Sequence, residues 1–173
     1  IIRGYEWIMP TVAQKGVHNF FENIVDMRTL VNSLLQLAPE KAARSAGRVL
    51  VNSTVGLLGL FDVATTMGIP QPSEDFGQTL GRWGVGAGPY LVLPALGPST
   101  LRDGIGLIPD LMLTAAIQEN IITNDDANLG ATALNLIDTR KTVPFRYYET
   151  GSAFEYETLR WLYMTKRELD IEK

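Results

Sequence analysis

The chain has 173 residues, enough to bury one hydrophobic core and few for two ordinary domains, so a single domain over 1–173 is expected. With 46% apolar and 20% charged residues it is neither disordered nor fibrous, and a formal charge of −4 without a basic block gives nucleic-acid phosphates nothing to hold. No Cys and one His withhold disulfide frameworks, thiol nucleophiles and the common zinc sites, so neither a metal nor another cofactor is expected. The chain opens on Ile1 and Ile2 without a charged n-region or an apolar h-region, and reads as the body of a longer precursor whose signal or anchor lies upstream.

From Pro10 to Leu37, Val17, Phe20, Phe21, Ile24, Met27, Val31, Leu34 and Leu35 recur at helical spacing on one stripe, with Glu22, Asp26, Ser33 and Gln36 on the other face. Arg28, at the edge of the stripe, reads as a snorkelling side chain. Pro39 opens a second helix, expected to run to Met67 and stop at Gly68, whose second half is apolar on most sides. Ser73 offers an N-cap for a short helix to Trp83. Gly84 to Pro98 is irregular. The brief Pro89 to Pro94 run is its one strand signal, and its prolines argue against a central strand. Ser99 offers another N-cap before a short helix interrupted at Gly104, Gly106 and Pro109, and Leu111 to Ile122 reads as an apolar helix. A polar turn at Asn124 to Asn128 leads into a weakly amphipathic helix through Arg140, Pro144 to Gly151 is a loop, and Ser152 caps a last helix to Asp170. Phe154, Leu159, Leu162 and Leu169 are expected to face inward from it. The class is mainly α.

Charge is unevenly spread. Between Val49 and Gln118 the only charged residues are Asp62, Glu74, Asp75, Arg82, Arg102, Asp103 and Asp110, and Gly and Pro recur throughout. The run from Trp83 to Leu101 has the length of a membrane span, but Pro89, Pro94 and Pro98 interrupt it. Two readings remain: the core of a soluble helical domain, or short packed helices that dip part-way into a bilayer, where neighbouring protein or a wet cavity satisfies the broken backbone.

Signatures of chemistry are weak. Gly81, Gly84, Gly86 and Gly88 lack the spacing of a phosphate loop. His18 has no paired nucleophile in sequence and reads as structural, while Asp125, Asp126 and Asn128 read as turn residues and not a calcium loop. Glu74 with Asp75, or Asp103 with Asp110, could supply acid and base, but acids at helix starts are ordinary caps. Tyr147, Tyr148, Tyr156, Trp161 and Tyr163, interleaved with Arg146, Arg160, Lys166 and Arg167, suit a membrane interface or a protein contact.

The ordered run Gly47-Arg48, Val51-Asn52-Ser53-Thr54, Gly56, Gly59-Leu60-Phe61-Asp62-Val63-Ala64, Glu74-Asp75-Phe76-Gly77-Gln78-Thr79-Leu80-Gly81, Gly84-Val85-Gly86, Gly88-Pro89-Tyr90, Leu93-Pro94, Gly97-Pro98 and Thr100-Leu101-Arg102-Asp103 closely resembles the MlaA (VacJ) family of outer-membrane lipoproteins. The match extends upstream through Asn19-Phe20-Phe21 and Asn32-Ser33-Leu34-Leu35-Gln36, and downstream through Ile137-Asp138-Thr139-Arg140.

The resemblance implies a monotopic, ring-shaped bundle of short broken helices around a central channel, lodged in the inner leaflet of the Gram-negative outer membrane and facing the periplasm. Such a protein removes glycerophospholipids misplaced in the outer leaflet and hands them to a periplasmic carrier of the MlaC type, without covalent chemistry, and associates with trimeric porins. A channel of this kind needs polar groups for headgroups among apolar walls. Asn52, Asp75, Gln78, Arg82, Arg102 and Asp103 are the polar residues embedded in the matched motifs and are the candidates for lining or gating it. Capping and interhelical bonding are their alternative roles. Gly104 and Gly106 are hinge candidates, lying where the family has a flexible helical hairpin. Two readings stand beside this one: a soluble all-α enzyme using Asp75 or Asp103, and a structural adaptor that binds porin without moving lipid.

Overall fold

A computed structural model describes residue 7 and residues 9–94, 96–142 and 155–172. The expected loop from Pro144 to Gly151, the cap at Ser152, the inward Phe154, and Tyr147, Tyr148 and Arg146 lie outside the described residues. The chain divides into two compact units, one of residues 1–73 and 113–144, the other of residues 74–112 and 145–173. It is mainly helical, as its sequence pattern indicates.

The first unit is built on a helical hairpin, α1 (Thr11–Leu35) and α2 (Pro39–Thr54). The α1 helix ends as Ala38 N–H donates to the Ser33 carbonyl at 2.9 Å, with Leu37 in the left-handed region at φ 54°. Pro39 then starts α2 with Glu40 in its first turn. The α2 helix does not continue to Met67. It stops at Thr54, where a Cβ on Gly56 would lie 2.2 Å from the Phe61 carbonyl and 2.5 Å from that of Asn52, so the chain folds tightly back on the helix end. Leu57, Leu58 and Gly59 all take positive φ in this turn, and Gly59 N–H donates to the Asn52 carbonyl at 2.8 Å. Asp62 then caps the one-turn helix α3 (Val63–Thr66) by accepting from Thr65 N–H at 3.0 Å.

In the second unit α4 (Phe76–Arg82) is capped by Asp75, which accepts from Gln78 N–H at 2.9 Å; Ser73 lies two residues too early to serve. A two-stranded antiparallel hairpin follows, β1 (Tyr90–Leu93) with β2 (Gly97–Thr100), in the register Tyr90 to Thr100 and Leu93 to Gly97. The second strand carries no alternation to announce it. Thr100, not Ser99, caps the next helix, its hydroxyl accepting from Asp103 N–H at 3.2 Å. That helix, α5 (Leu101–Ile121), is continuous through Gly104, Gly106 and Pro109 and contributes residues to both units. Its glycine at 106 serves close packing: a Cβ there would lie 2.5 Å from Gly77 N, so α5 and α4 meet backbone to backbone. The α6 helix (Asp125–Thr142) starts where Asn124 accepts from Ala127 N–H at 2.9 Å, and α7 (Glu155–Glu172) ends the described chain.

Burial is inverted. Among the described residues the buried apolar side chains are Phe21, Ile24, Ala42 and Ala64, while Asp26, Thr29, Asn32, Ser33, Ser45, Arg48, Gln78, Thr79 and Thr100 are among a longer buried polar set. In α1 the buried side chains are mostly polar, Phe21 and Ile24 being the apolar ones, with Leu34 59% exposed. In α7 the inward positions are Tyr163, Arg167 and Ile171, one helical turn apart, while Leu162 and Leu169 face out. Leu50, Leu58, Ile108, Met112 and Leu129 are each at least 60% exposed. Water does not favour such an exterior. Among the described residues no helix is long and apolar enough to cross a membrane.

Glycine substitutions separate packing from propensity. Gly56→Ala and Gly106→Ala are expected to lower stability by about 1–3 kcal/mol through overpacking. Gly47→Ala, whose Cβ meets nothing within 4 Å inside α2, is expected to raise it by up to about 1 kcal/mol. Thermal unfolding in detergent checks the three signs.

Candidate functional site

Each unit is organised around one arginine paired with aspartates, Arg48 buried in the first and Arg167 largely so in the second. In the first, Arg48 of α2 is 1% exposed and sends its guanidinium in four directions. Nε donates to Asp26 Oδ2 at 2.9 Å, Nη1 to Thr65 Oγ1 and the Ile69 carbonyl at 2.9 Å each, and Nη2 to Asp62 Oδ1 at 3.2 Å. Asn52 closes the cluster, donating to Asp62 Oδ1 at 3.2 Å and accepting Ala64 N–H at 2.9 Å. Gln71 bridges Asp26 and Glu22 at 3.1 and 2.8 Å. Burial raises the Asp26 carboxyl above its ordinary value, outweighing Arg48. At Asp62 burial also pushes upward, but hydrogen bonds from Thr65 and Asn52 with the Arg48 charge prevail and lower it.

In the second unit Arg167 of α7 forks onto two carboxylates. Nε and Nη2 donate to Asp103 at 2.9 and 2.8 Å, and Nη1 and Nη2 to Asp75 at 2.6 and 2.8 Å. Tyr163 donates to Asp103 at 2.8 Å, and Arg102, itself buried, donates to Asp103 at 3.2 Å and to the Val85 carbonyl at 3.4 Å. Two arginines thus neutralise two aspartates inside one polar knot. Burial raises both carboxyls, but the Arg167 contacts outweigh it and hold Asp75 and Asp103 below the ordinary 3.8. Burial and the Asp103 charge push the Tyr163 hydroxyl up. Burial opposes the Arg167 charge, but the two carboxylates more than restore it.

Of the candidates from sequence, Asp75, Gln78, Arg102 and Asp103 come together in the second unit, Gln78 lying beside Asp75 with its amide 3.3 Å from Asp75 Oδ2. Asn52 belongs to the Arg48 cluster. Arg82 is exposed and makes no hydrogen bond or ion pair among the described residues. Around Gly104 the nearest group to an added Cβ is Ser99 Oγ at 3.9 Å, whereas Gly106 is locked against Gly77. Sequence reasoning missed Arg48, Asp26, Arg167 and Tyr163 as cluster members. The available signal for the last two was their helical spacing with Ile171. His18 is tied to Asp138 at 2.8 Å, joining α1 to α6. The four clustered aspartates all meet an arginine, and no group of three His, Cys, Asp or Glu side chains among the described residues is placed to hold a metal. The arrangement fixes helices and presents fixed polar groups.

A model of the MlaA lipoprotein family matches residues 1–170. The chain belongs to the MlaA lipoprotein family. An uncharacterised protein of Rickettsia felis is 35% identical over 98% of this chain and 67% of its own length. The intermembrane phospholipid transport system lipoprotein MlaA of Escherichia coli K12 is 37% identical over 59% of this chain, which spans 42% of that protein. A protein solved in work on the structural basis for maintenance of bacterial outer membrane lipid asymmetry superposes with a TM-score of 0.73 and 26% identity, covering 98% of this chain and 85% of that one. The mainly helical fold is therefore that of an MlaA-family protein.

Removing Arg167 leaves Asp75 without an arginine and Asp103 with Arg102 and Tyr163 alone, so Arg167→Met is expected to cost about 2–4 kcal/mol. Because Asp75 and Asp103 are lowered on folding, their contribution is complete above pH about 3.8 and is lost as pH falls through their folded values. In Arg167→Met the folded values rise, so this acid-dependent loss shrinks, the arginine's contribution being already absent at neutral pH. Unfolding midpoints measured in detergent between pH 3 and 7 check both expectations, as orders of magnitude.

Proposed function

We propose that this chain serves intermembrane phospholipid transport and maintains the lipid asymmetry of the outer membrane. The observation that carries the reading is the inverted burial: leucines outward, paired polar groups inward, with no helix among the described residues long and apolar enough to cross a membrane. An exterior of this kind is stable where its surroundings are hydrocarbon. Family membership and the named relatives point the same way.

In this reading the protein is monotopic, a ring of helices in the inner leaflet that faces the periplasm. Glycerophospholipids displaced into the outer leaflet pass its central channel to a periplasmic carrier of the MlaC type, and a trimeric porin holds it in place. Transport needs no covalent step. Arg82 keeps its charge free for a lipid phosphate, while Asn52, Asp75, Gln78, Arg102 and Asp103 shape and stiffen the polar wall. Of the hinge candidates, Gly104 has the room to move that Gly106 lacks.

The test is complementation. Expressed as an outer-membrane lipoprotein in a Gram-negative strain lacking its own MlaA, the protein is expected to clear phospholipid from the cell surface, measured by labelling intact cells. Arg82→Glu is expected to leave membrane levels unchanged and surface phospholipid high. Surface phospholipid unaltered by the wild-type protein at normal membrane levels overturns the transport reading; porin capture without clearance favours the adaptor.

A further inference from the structure

The first unit holds a feature that transport does not use. The α1 residues Val12, Gly16 and Val17, with Leu60 and Phe61 from the turn after α2, wall an apolar cleft of about 470 Å³, with Lys15 beside it. This volume falls in the range of about 300–1,000 Å³ typical of ligand pockets. Gly16 is part of its lining: an added Cβ would meet only Leu60, at 3.8 Å, so a larger side chain there has room to grow.

Two further observations say what fits. The turn supplying the second wall carries Leu57 and Leu58 at φ 51° and 60°, a region leucine disfavours, and both side chains are exposed with Val55 and Phe61. A turn fixed to present leucines outward is suited to hydrocarbon, and the cleft adjoins it. Lys15 is exposed and has no hydrogen bond or ion pair among the described residues. Asn19, also in the lining, has its amide engaged by the Leu60 carbonyl at 3.1 Å, so the free charge at this cleft is the lysine ammonium. A lone cation at an apolar cleft matches a phosphate joined to a long alkyl chain.

We propose that this cleft is a resident-lipid site that holds one acyl chain of a membrane phospholipid, with the lipid phosphate on Lys15. The inference rests on the membrane reading above. Inorganic phosphate has nothing to place against the apolar walls, and diacylglycerol has nothing to place on the lysine.

Photocrosslinking tests it. The full chain is reconstituted in phosphatidylethanolamine and phosphatidylglycerol vesicles doped with phosphatidylglycerol or diacylglycerol bearing a diazirine on one acyl chain, and labelled peptides are mapped by mass spectrometry. Labelling at Val12–Val17 and Leu60–Phe61 is expected to exceed that at the exposed Ile108 and Leu129. Gly16→Leu, with folding checked by circular dichroism, is expected to abolish the cleft labelling and leave Ile108 and Leu129 labelled. Lys15→Gln, which removes the charge and keeps a long side chain at this exposed position, is expected to lower cleft labelling by the phospholipid probe about fivefold and leave the diacylglycerol probe unaffected. Cleft labelling that survives Gly16→Leu, or a Lys15→Gln effect equal for both probes or absent from both, overturns the site while the membrane reading stands. Absence of labelling at Ile108 and Leu129 as well overturns both.

Discussion

Arginine satisfied by aspartate is the interaction on which each unit depends. Arg48 is buried and Arg167 largely so, and a guanidinium in such a place is tolerated only when its donors meet fixed acceptors. Both do so by gathering acids from separate segments: Asp26 and Asp62 around the first, Asp75 and Asp103 around the second. Two of those acids also cap helices, Asp62 for α3 and Asp75 for α4. One carboxylate therefore sets where a helix starts and which neighbour it is tied to. With so few buried apolar side chains among the described residues, this polar framework carries specificity that a hydrophobic core supplies elsewhere.

The same constraint explains the exterior. With much of the interior occupied by polar groups, many of the described leucines, isoleucines and valines lie outward. In water that arrangement loses the hydrophobic driving force; against hydrocarbon the loss disappears, and helix association rests on close packing and hydrogen bonds. The backbone contact of Gly106 with Gly77, and the knot of Asp103, Arg167 and Tyr163 beside it, are the two halves of that mode of association. Membership of the MlaA family gives this architecture its functional context.

Much of the helical class was legible, and the reasons for the misses are physical. The bounds of α1 followed from Pro10, a sustained helical period and Pro39, but which face is buried did not, because periodicity reports that a helix is two-faced and not which face meets solvent. Gly56 ends a helix while Gly106 sits inside one. Only their neighbours distinguish them, the Phe61 carbonyl for one and the Gly77 backbone for the other. The family motifs led to Asn52, Asp75, Gln78, Arg102 and Asp103, all of which lie in or beside the two clusters. They did not lead to Arg167, whose partners lie far back in the chain and whose neighbours Lys166 and Arg160 disguise it as one more surface base. Tyr163, Arg167 and Ile171 form a helical stripe that, with polar residues allowed inside, marks the inward face.

The central claim is that the exposed leucines face lipid. Because the chain has no cysteine, single cysteines can be placed at Leu34, Leu50, Leu58 and Leu129 and spin-labelled without background. Paramagnetic resonance of the reconstituted protein then compares collisions with oxygen, which concentrates in the bilayer, and with a water-soluble nickel chelate. The account predicts high oxygen and low nickel accessibility at all four positions. High nickel accessibility at all four would place those side chains in water and contradict it.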